Sequence, residues 1–297
     1  MSTSLDGHRR RVRGQARTAF VLSGGGNQGV SQIGMLRALI ERDIIPDVVV
    51  GTSAGALNGA AIAAEPTVDN LDRLAELWCS LQGTDVFPGS KLSRAWNVLR
   101  RDSHLFPNSG LAAVVYRSLS VRTFAELALP LRVIATDLDT GEEVVFAQGP
   151  LGPALLASAA LPGVFPSIRH DDRMLVDGAV VNSVPLWHAL AGPVDRVYVL
   201  NVSGSVADKA ARSPLDVVLR AFAISRNQRF DLELRHAPPE VDIMVLPRPI
   251  DPRDVFDFSG ARALIDEAYR LTSRALDFAG QRISPRRRAW FRRTAIA

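Results

Sequence analysis

Cysteine is nearly absent from this chain, and so is lysine. The 297 residues contain a single cysteine, Cys79, which excludes an internal disulfide framework and any metal site built from several cysteines. Because Cys79 follows Trp78 in an apolar helical stretch, we expect a structural thiol packed in the core. The only lysines are Lys91 and Lys209, so arginine supplies nearly all of the positive charge.

Long uninterrupted apolar runs are also missing. Residues 48–64 are broken by glycines and an asparagine, and residues 144–168 contain four prolines. A membrane-spanning helix needs about 20 mostly apolar residues, so neither window predicts one. The first residues are polar and basic, which is not the pattern of a secretory signal peptide. We therefore expect a cytoplasmic protein, either soluble or peripheral on the inner face of the membrane.

The arginines are concentrated at the two ends of the chain, although the net charge is only +4. We expect a basic, disordered tail over residues 1–17, a single folded domain over 18–280 and an Arg-rich tail over 281–297. Such clusters favour contact with an anionic membrane, and Trp290 and Phe291 strengthen that interpretation. Solvated tails without a partner are the alternative. We expect no nucleic-acid partner, and the sequence does not indicate an oligomeric state.

Strand-like apolar runs alternate with amphipathic helical patterns between residues 18 and 280. This alternation predicts an α/β fold whose largely parallel sheet is covered by helices on both faces. The predicted strands are 18–22, 47–50, 131–136, 143–147, 174–176, 196–202 and 241–246, and the predicted helices are 30–42, 54–64, 68–81, 153–160, 214–235 and 259–278. Residues 83–123 are less regular, and an amphipathic piece around residues 92–99 suggests a lid, a membrane-facing helix or an ordinary surface helix.

Two glycine-rich turns follow the first two strands. The second, Gly51–Gly55 (GTSAG), has the Gly-x-Ser-x-Gly spacing of a tight strand-to-helix turn that exposes a nucleophilic serine, here Ser53. The first, Gly24–Gly29 (GGGNQG), offers a row of unobstructed backbone N–H groups at a helix N-terminus, where negative charge is favoured. A nucleophile beside an oxyanion-binding loop predicts an acyl-transfer site, most simply that of a hydrolase.

The first turn also fits the dinucleotide-binding pattern Gly-x-Gly-x-x-Gly. That pattern requires an acidic residue at the end of the second strand to bind a ribose hydroxyl. The acidic residue here, Asp47, lies at the beginning of that strand. The sequence therefore disfavours a dinucleotide site.

A nucleophilic serine needs a general base. None of the five histidines has a context that singles it out, and His236 is considered only because it lies late in the chain. Asp177 is the better candidate, because it follows the predicted strand 174–176 and precedes Gly178, which permits a sharp turn that leaves the carboxylate unobstructed. We therefore expect Ser53 and Asp177 to form the reacting pair.

These motifs, in this order, make the chain similar to bacterial patatin-like phospholipases over roughly residues 18–280. The resemblance rests on both glycine-rich turns and on three further stretches, which are Ala135–Gly141 (ATDLDTG), Ser158–Pro166 (SAALPGVFP) and Asp177–Ala179 (DGA). One position departs from the family pattern. The glycine loop of the family usually carries arginine or lysine before its last glycine, and here that residue is Gln28.

The resemblance implies a three-layer α/β/α fold and hydrolysis of phospholipid or related lipid esters by a Ser53–Asp177 dyad without a metal or organic cofactor. The resemblance also implies that the oxyanion hole is formed by Gly24, Gly25, Gly26 and Gly29. It implies a supporting role in the motifs for Gly51, Gly55 and Gly178. Two alternatives stay open. One is a general carboxylesterase or thioesterase, and the other is a non-catalytic protein that binds lipid or a partner.

Overall fold

A computed structural model describes residues 16–88, 104–203, 214–250 and 257–281. The predicted tails lie outside the described residues except for their innermost positions. The amphipathic piece around residues 92–99 also lies outside them, so its interpretation as a lid or membrane-facing helix stays a prediction.

Within the described ranges, eight strands form a single sheet. Their bounds are β1 Thr18–Leu22, β2 Val48–Thr52, β3 Leu131–Asp137, β4 Glu143–Phe146, β5 Ile168–His170, β6 Arg173–Asp177, β7 Arg196–Leu200 and β8 Asp242–Val245. All seven predicted strands are present, most of them shifted by one or two residues at an end. The three-residue strand β5 escaped prediction because the segment IRH is short and polar and is extended only through its hairpin with β6.

The six predicted helices are present with ends that differ by at most three residues, whereas the helices Gly83–Val86, Ser109–Ser118 and Leu186–Leu190 were not predicted. The helix bounds are α1 Val30–Ile40, α2 Ala54–Ala64, α3 Val68–Ser80, α4 Gly83–Val86, α5 Ser109–Ser118, α6 Leu151–Ser158, α7 Leu186–Leu190, α8 Pro214–His236 and α9 Ala261–Gln281. Three 3-10 turns cover Gly26–Gly29, Phe124–Glu126 and Gly178–Val180. None of the helices within the described ranges is both long and apolar enough to cross a bilayer.

The strand order is β5-β6-β3-β2-β1-β7-β8, with β4 also paired to β3. The five strands from β3 to β8 in this order run parallel, whereas β4 and β6 are antiparallel to β3, and β5 is antiparallel to β6. β1 occupies the centre, between β2 and β7, so the chain order reverses at its carboxyl end. Sheets of this kind bind ligands at such a switch point.

Two hydrophobic clusters cover the two faces of the sheet. Phe20 and Leu22 of β1 point into the larger cluster with α1, α2, α3 and α9, whereas Ala19 and Val21 point into the smaller one with α7. This alternation is the two-residue period of a strand that is buried on both faces. The described residues therefore form the three-layer α/β/α architecture expected from the sequence.

Candidate active site

Ser53 lies in the tight turn between β2 and α2, as the Gly-x-Ser-x-Gly spacing predicts. Its backbone has φ 56° and ψ −125°, a conformation that costs free energy for any residue with a side chain. The turn is held by Ser158 of α6. The Ser53 N–H donates to Ser158 Oγ at 2.9 Å, and that hydroxyl donates to the Ile134 carbonyl at 2.5 Å.

The glycines around Ser53 are required by close backbone contacts. A Cβ added to Gly55 would lie 2.3 Å from the Leu22 carbonyl oxygen, and one added to Gly51 would lie 2.5 Å from the Gly55 carbonyl oxygen. Both distances are far below van der Waals contact. A side chain at Gly55 would displace the turn from the end of β1, and one at Gly51 would displace the end of β2 from the start of α2.

Asp177 reaches Ser53 along the same edge of β3. Thr52 is opposite Ile134, and Asp177 is opposite the next residue, Ala135. Because β4 pairs with both of these β3 residues on the other edge, β2 and β6 follow one another along one edge, and the serine and the aspartate lie at the same level of the sheet. The strand that carries Asp177 is antiparallel. The two residues therefore meet through the register of β3 and not at a common end of parallel strands.

The Ser53 hydroxyl donates a hydrogen bond to Asp177 Oδ2 at 2.7 Å. The second carboxylate oxygen, Oδ1, accepts the Ala179 N–H at 2.8 Å in the sharp turn that Gly178 permits. A Cβ on Gly178 would lie 2.3 Å from the Ile134 carbonyl oxygen. Both side chains are enclosed, since Ser53 is 8% exposed and Asp177 is 3% exposed.

Burial raises the pKa of Asp177 to about 6, although hydrogen bonds from Ser53 and Ala179 and the charge of Arg226 act in the opposite direction. A carboxylate with an ordinary pKa near 4 is a weak base for a serine hydroxyl. The raised value brings Asp177 closer to the range in which a general base works at neutral pH.

The glycine loop runs directly past Ser53. A Cβ on Gly24 would lie 3.3 Å from the Ser53 Cβ, and the Gly24 N–H donates to the Ser183 carbonyl at 2.9 Å. The N–H groups of Gly25 and Gly26 have no hydrogen-bond partner in the part of the chain that the structure describes. Gly29 packs against α2, where a Cβ would lie 2.6 Å from the Ala54 Cβ.

A chain of buried amides behind the glycine loop was missed by the sequence analysis. Gln32 Nε2 donates to the carbonyls of Ser23 and Leu200, Asn58 Nδ2 donates to Gln32 Oε1, and Trp78 Nε1 donates to Asn58 Oδ1. The detectable signal was two amide residues at fully buried positions of otherwise apolar helices, because buried polar groups need partners. These bonds tie the loop to α1, α2 and α3.

A second carboxylate, the partly buried Glu143, lies at the beginning of β4. It accepts hydrogen bonds from His188 and Asn182 and forms an ion pair with Arg229. Burial alone would raise the pKa of Glu143, but the His188 and Asn182 bonds and the Arg229 charge outweigh burial and lower it to about 2. His188 is thus engaged away from Ser53, and His236 faces the Leu232 carbonyl on the surface of α8.

No group of three His, Cys, Asp or Glu side chains in the described ranges is arranged to hold a metal ion. The site combines a serine in a tight strand-to-helix turn, an aspartate in hydrogen-bond contact with it and a glycine loop beside both. This combination defines a candidate hydrolase site on an α/β sheet. Residues 20–190 match the family model described as patatin-like phospholipase. The chain belongs to this family.

Relatives are known from bacteria and mammals. An uncharacterised NTE family protein of Mycobacterium tuberculosis is 30% identical over 86% of this chain, which spans 62% of that relative's length. The patatin-like phospholipase domain-containing protein 7 of Rattus norvegicus is 31% identical over 56% of this chain and 12% of its own length.

Two solved structures share the fold. VipD from Legionella pneumophila has a TM-score of 0.50 at 14% identity and covers 89% of this chain and 67% of its own. Human GIVD cytosolic phospholipase A2 has a TM-score of 0.51 at 11% identity and covers 90% of this chain and 61% of its own. At these identities the likeness concerns the fold alone.

Proposed function

We propose that this chain is a lipid acyl hydrolase that cleaves fatty acyl esters of phospholipids or related lipids. The observation that carries the proposal is the 2.7 Å hydrogen bond from Ser53, held on a strained turn, to the buried carboxylate of Asp177. Family membership supports the substrate class.

The proposed reaction uses Asp177 as the proton carrier in both half-reactions. Ser53 Oγ attacks the acyl carbonyl carbon while its proton passes to Asp177. The ester C–O bond then breaks, and the departing alkoxide takes that proton. In the second half, a water molecule gives its proton to Asp177 and attacks the acyl-serine. The fatty acid leaves, and the proton returns to Ser53 Oγ.

The backbone N–H groups of Gly25 and Gly26 are the proposed oxyanion donors. These two N–H groups lack partners among the described residues, whereas the Gly24 N–H donates to the Ser183 carbonyl. The set of proposed oxyanion donors is therefore reduced from the four glycines of the sequence analysis to these two. Gly24 and Gly29 then serve the close packing of the loop against Ser53 and α2. Loss of one such donor costs about 3 kcal/mol in well-studied hydrolases.

The test compares wild type, Ser53→Ala and Asp177→Ala with a fluorophosphonate probe and a long-chain p-nitrophenyl ester. We expect probe labelling to require Ser53 and turnover to require both residues. Ser118→Ala is the matched control, because that partly buried hydroxyl donates only to the Val115 carbonyl on α5. Turnover that survives in Ser53→Ala would contradict the mechanism.

Substrate preference separates the proposal from its two alternatives. A clear preference for short soluble esters over long-chain phospholipid would favour a general esterase or thioesterase. Wild-type protein that neither reacts with the probe nor turns over any ester would favour a lipid- or partner-binding role.

We further propose that the arginine clusters at residues 9–17 and 282–293 hold the protein at an anionic membrane surface on the cytoplasmic side. Attraction between a basic segment and anionic lipid weakens as salt screens the charges. Binding to phosphatidylserine-containing liposomes should therefore decrease with salt and depend on both clusters. Salt-independent binding, or equal binding after both clusters are removed, would contradict this part.

A further inference from the structure

Arg226 is a largely buried cation beside the reacting pair that the proposed chemistry does not use. It shares one face of α8 with Arg229, Phe230 and Glu233, because residues three, four and seven apart align on a helix. Phe230 and Glu233 on this face are buried, so the helix turns Arg226 inward. The same helix packs against the turn Gly178–Val180 that follows Asp177.

The two arginines on this face have different surroundings. Arg229 forms ion pairs with Glu143 and Glu233. Arg226, one turn earlier, makes no hydrogen bond or ion pair with any described residue, and its Nε–H is shut off from solvent without an acceptor. The cost of burying the guanidinium lowers the pKa of Arg226, which the nearby Asp177 charge offsets only in part.

Asp177 does not act as the missing acceptor. Its Oδ2 accepts from Ser53 and its Oδ1 accepts from Ala179, and no ion pair joins it to Arg226. A buried charge without a partner is costly, and an unsatisfied buried polar group in a native structure calls for an explanation such as a functional role or a bound ion. The planar guanidinium presents a fork of donors whose geometry matches the oxygens of a phosphate or carboxylate group.

We propose that the Arg226 guanidinium binds the phosphodiester of the lipid whose acyl ester is cleaved at Ser53. This inference rests on the proposed function and narrows its substrate class to phosphate-bearing lipids over neutral acylglycerols. In a glycerophospholipid the phosphodiester lies only a few bonds from the acyl ester. A cation next to the reacting pair is therefore in a suitable position to bind one group while Ser53 attacks the other.

The experiment compares two substrates with the same acyl chain, palmitoyl lysophosphatidylcholine and monopalmitoylglycerol, in neutral detergent micelles. Measurement at about pH 8 keeps Asp177 ionised in every variant. We expect Arg226→Gln to lower kcat/KM for the phospholipid roughly 10- to 100-fold and to leave the neutral lipid nearly unchanged, as expected for lost hydrogen bonds to a charged group. Arg226→Lys should recover part of the loss. Arg235→Gln, which removes an exposed charge from the same helix, should behave as wild type.

Equal losses on both substrates, or no loss on either, would overturn the inference. Equal losses together with a shifted pH profile would mean that Arg226 acts only on the ionisation of Asp177. Inhibition of wild type by inorganic phosphate without preference for the phospholipid would indicate a free-anion site, which also overturns the inference.

A binding measurement separates this inference from the proposed function. The non-hydrolysable diether analogue of a short-chain phosphatidylcholine should bind wild type more tightly than Arg226→Gln by isothermal titration calorimetry. Equal affinities contradict the inference alone. Absent turnover and absent fluorophosphonate labelling in wild type contradict the proposed function, whatever the binding result.

Discussion

Two carboxylates, the buried Asp177 and the partly buried Glu143, flank β3 and have pKa values shifted in opposite directions. Asp177 has a pKa raised to about 6, whereas the pKa of Glu143 is lowered to about 2. The two carboxylates lie close together because Asn182 connects them. The side chain of Asn182 donates a hydrogen bond to Glu143, and the backbone N–H of Asn182 donates to the carbonyl of Gly178, the residue after Asp177. Burial alone would raise both values, so the difference comes from their partners.

Glu143 has two basic partners, His188 and Arg229, in direct contact, and an amide in addition. Asp177 has only neutral donors in contact, a serine hydroxyl and a backbone N–H, with the Arg226 charge acting without a hydrogen bond. Glu143 is thereby held ionised as a structural group. Asp177 can change its protonation state near neutral pH, which is the behaviour of an acid–base group.

The largest effect is expected from substitution of Asp177, the proposed general base. Asp177→Asn retains the side-chain shape but cannot accept the Ser53 proton, so we expect kcat to fall on the order of 10⁴-fold, as in hydrolases that lose a member of their catalytic group. Steady-state hydrolysis of a long-chain p-nitrophenyl ester measures this effect. If Asp177→Asn retained more than about a tenth of the wild-type kcat, the general base would be another residue.

The same substitution should stabilise the fold at high pH. Because the pKa of Asp177 is raised in the folded state, ionisation destabilises the protein as pH rises from the unfolded value toward 6. A shift of this size corresponds to about 3 kcal/mol, and Asp177→Asn should recover about 1–3 kcal/mol of unfolding free energy above pH 7. Urea unfolding at two pH values tests the sign, and the gain should vanish below about pH 4.

The second prediction concerns Glu143, the carboxylate to which a structural role is assigned. Glu143→Gln removes the negative charge that faces His188 and Arg229 and replaces one of the two acceptor oxygens with a donor group, so we expect a loss of about 2–3 kcal/mol of unfolding free energy at neutral pH. The pKa of Glu143 is lowered, so its contribution is present above about pH 4.5 and disappears as pH falls toward 2. Glu142→Gln, at the exposed neighbouring position, is the control. Equal stability of both variants would contradict the assignment.

The difference between the two carboxylates also marks what could be predicted from sequence. Asp177 was identified because it lies in a sharp turn after an apolar strand, and Ser53 because its glycine spacing specifies a backbone shape. Both signals are local. The strands and helices were predicted for the same reason, since apolar periodicity is readable within one segment.

Glu143 and Arg226 were not predicted because their roles depend on which helix face packs against which strand. Arg226 and Arg229 are three residues apart in the same helix, and only the docking of α8 gives Arg229 two carboxylate partners and leaves Arg226 with none among the described residues. The Gly24 N–H is a similar case, because its acceptor, the Ser183 carbonyl, is distant in sequence.

The third prediction tests the support of the hydroxyl that Asp177 contacts. Ser158→Ala removes the acceptor of the Ser53 N–H and the donor to the Ile134 carbonyl. We expect roughly a 10-fold loss of kcat and about 1–2 kcal/mol of unfolding free energy, as for a lost buried hydrogen bond. The rate of fluorophosphonate labelling should fall in parallel, because a relaxed turn moves Ser53 away from Asp177. Unchanged labelling with reduced stability would limit Ser158 to a structural role.

The smallest effect is expected in the pH dependence of kcat/KM, which distinguishes the two carboxylates. Asp177 must be ionised to accept the serine proton, so kcat/KM should fall about tenfold per pH unit below the pKa of Asp177, near 6. Glu143 stays ionised throughout this range, because its pKa is lowered to about 2. Glu143→Gln, assayed at a temperature where it remains folded, should therefore keep the same acidic limb. An acidic limb of the kcat/KM profile near pH 4 would contradict the raised pKa of Asp177. An acidic limb that moves in the Glu143→Gln variant would contradict a purely structural role for Glu143.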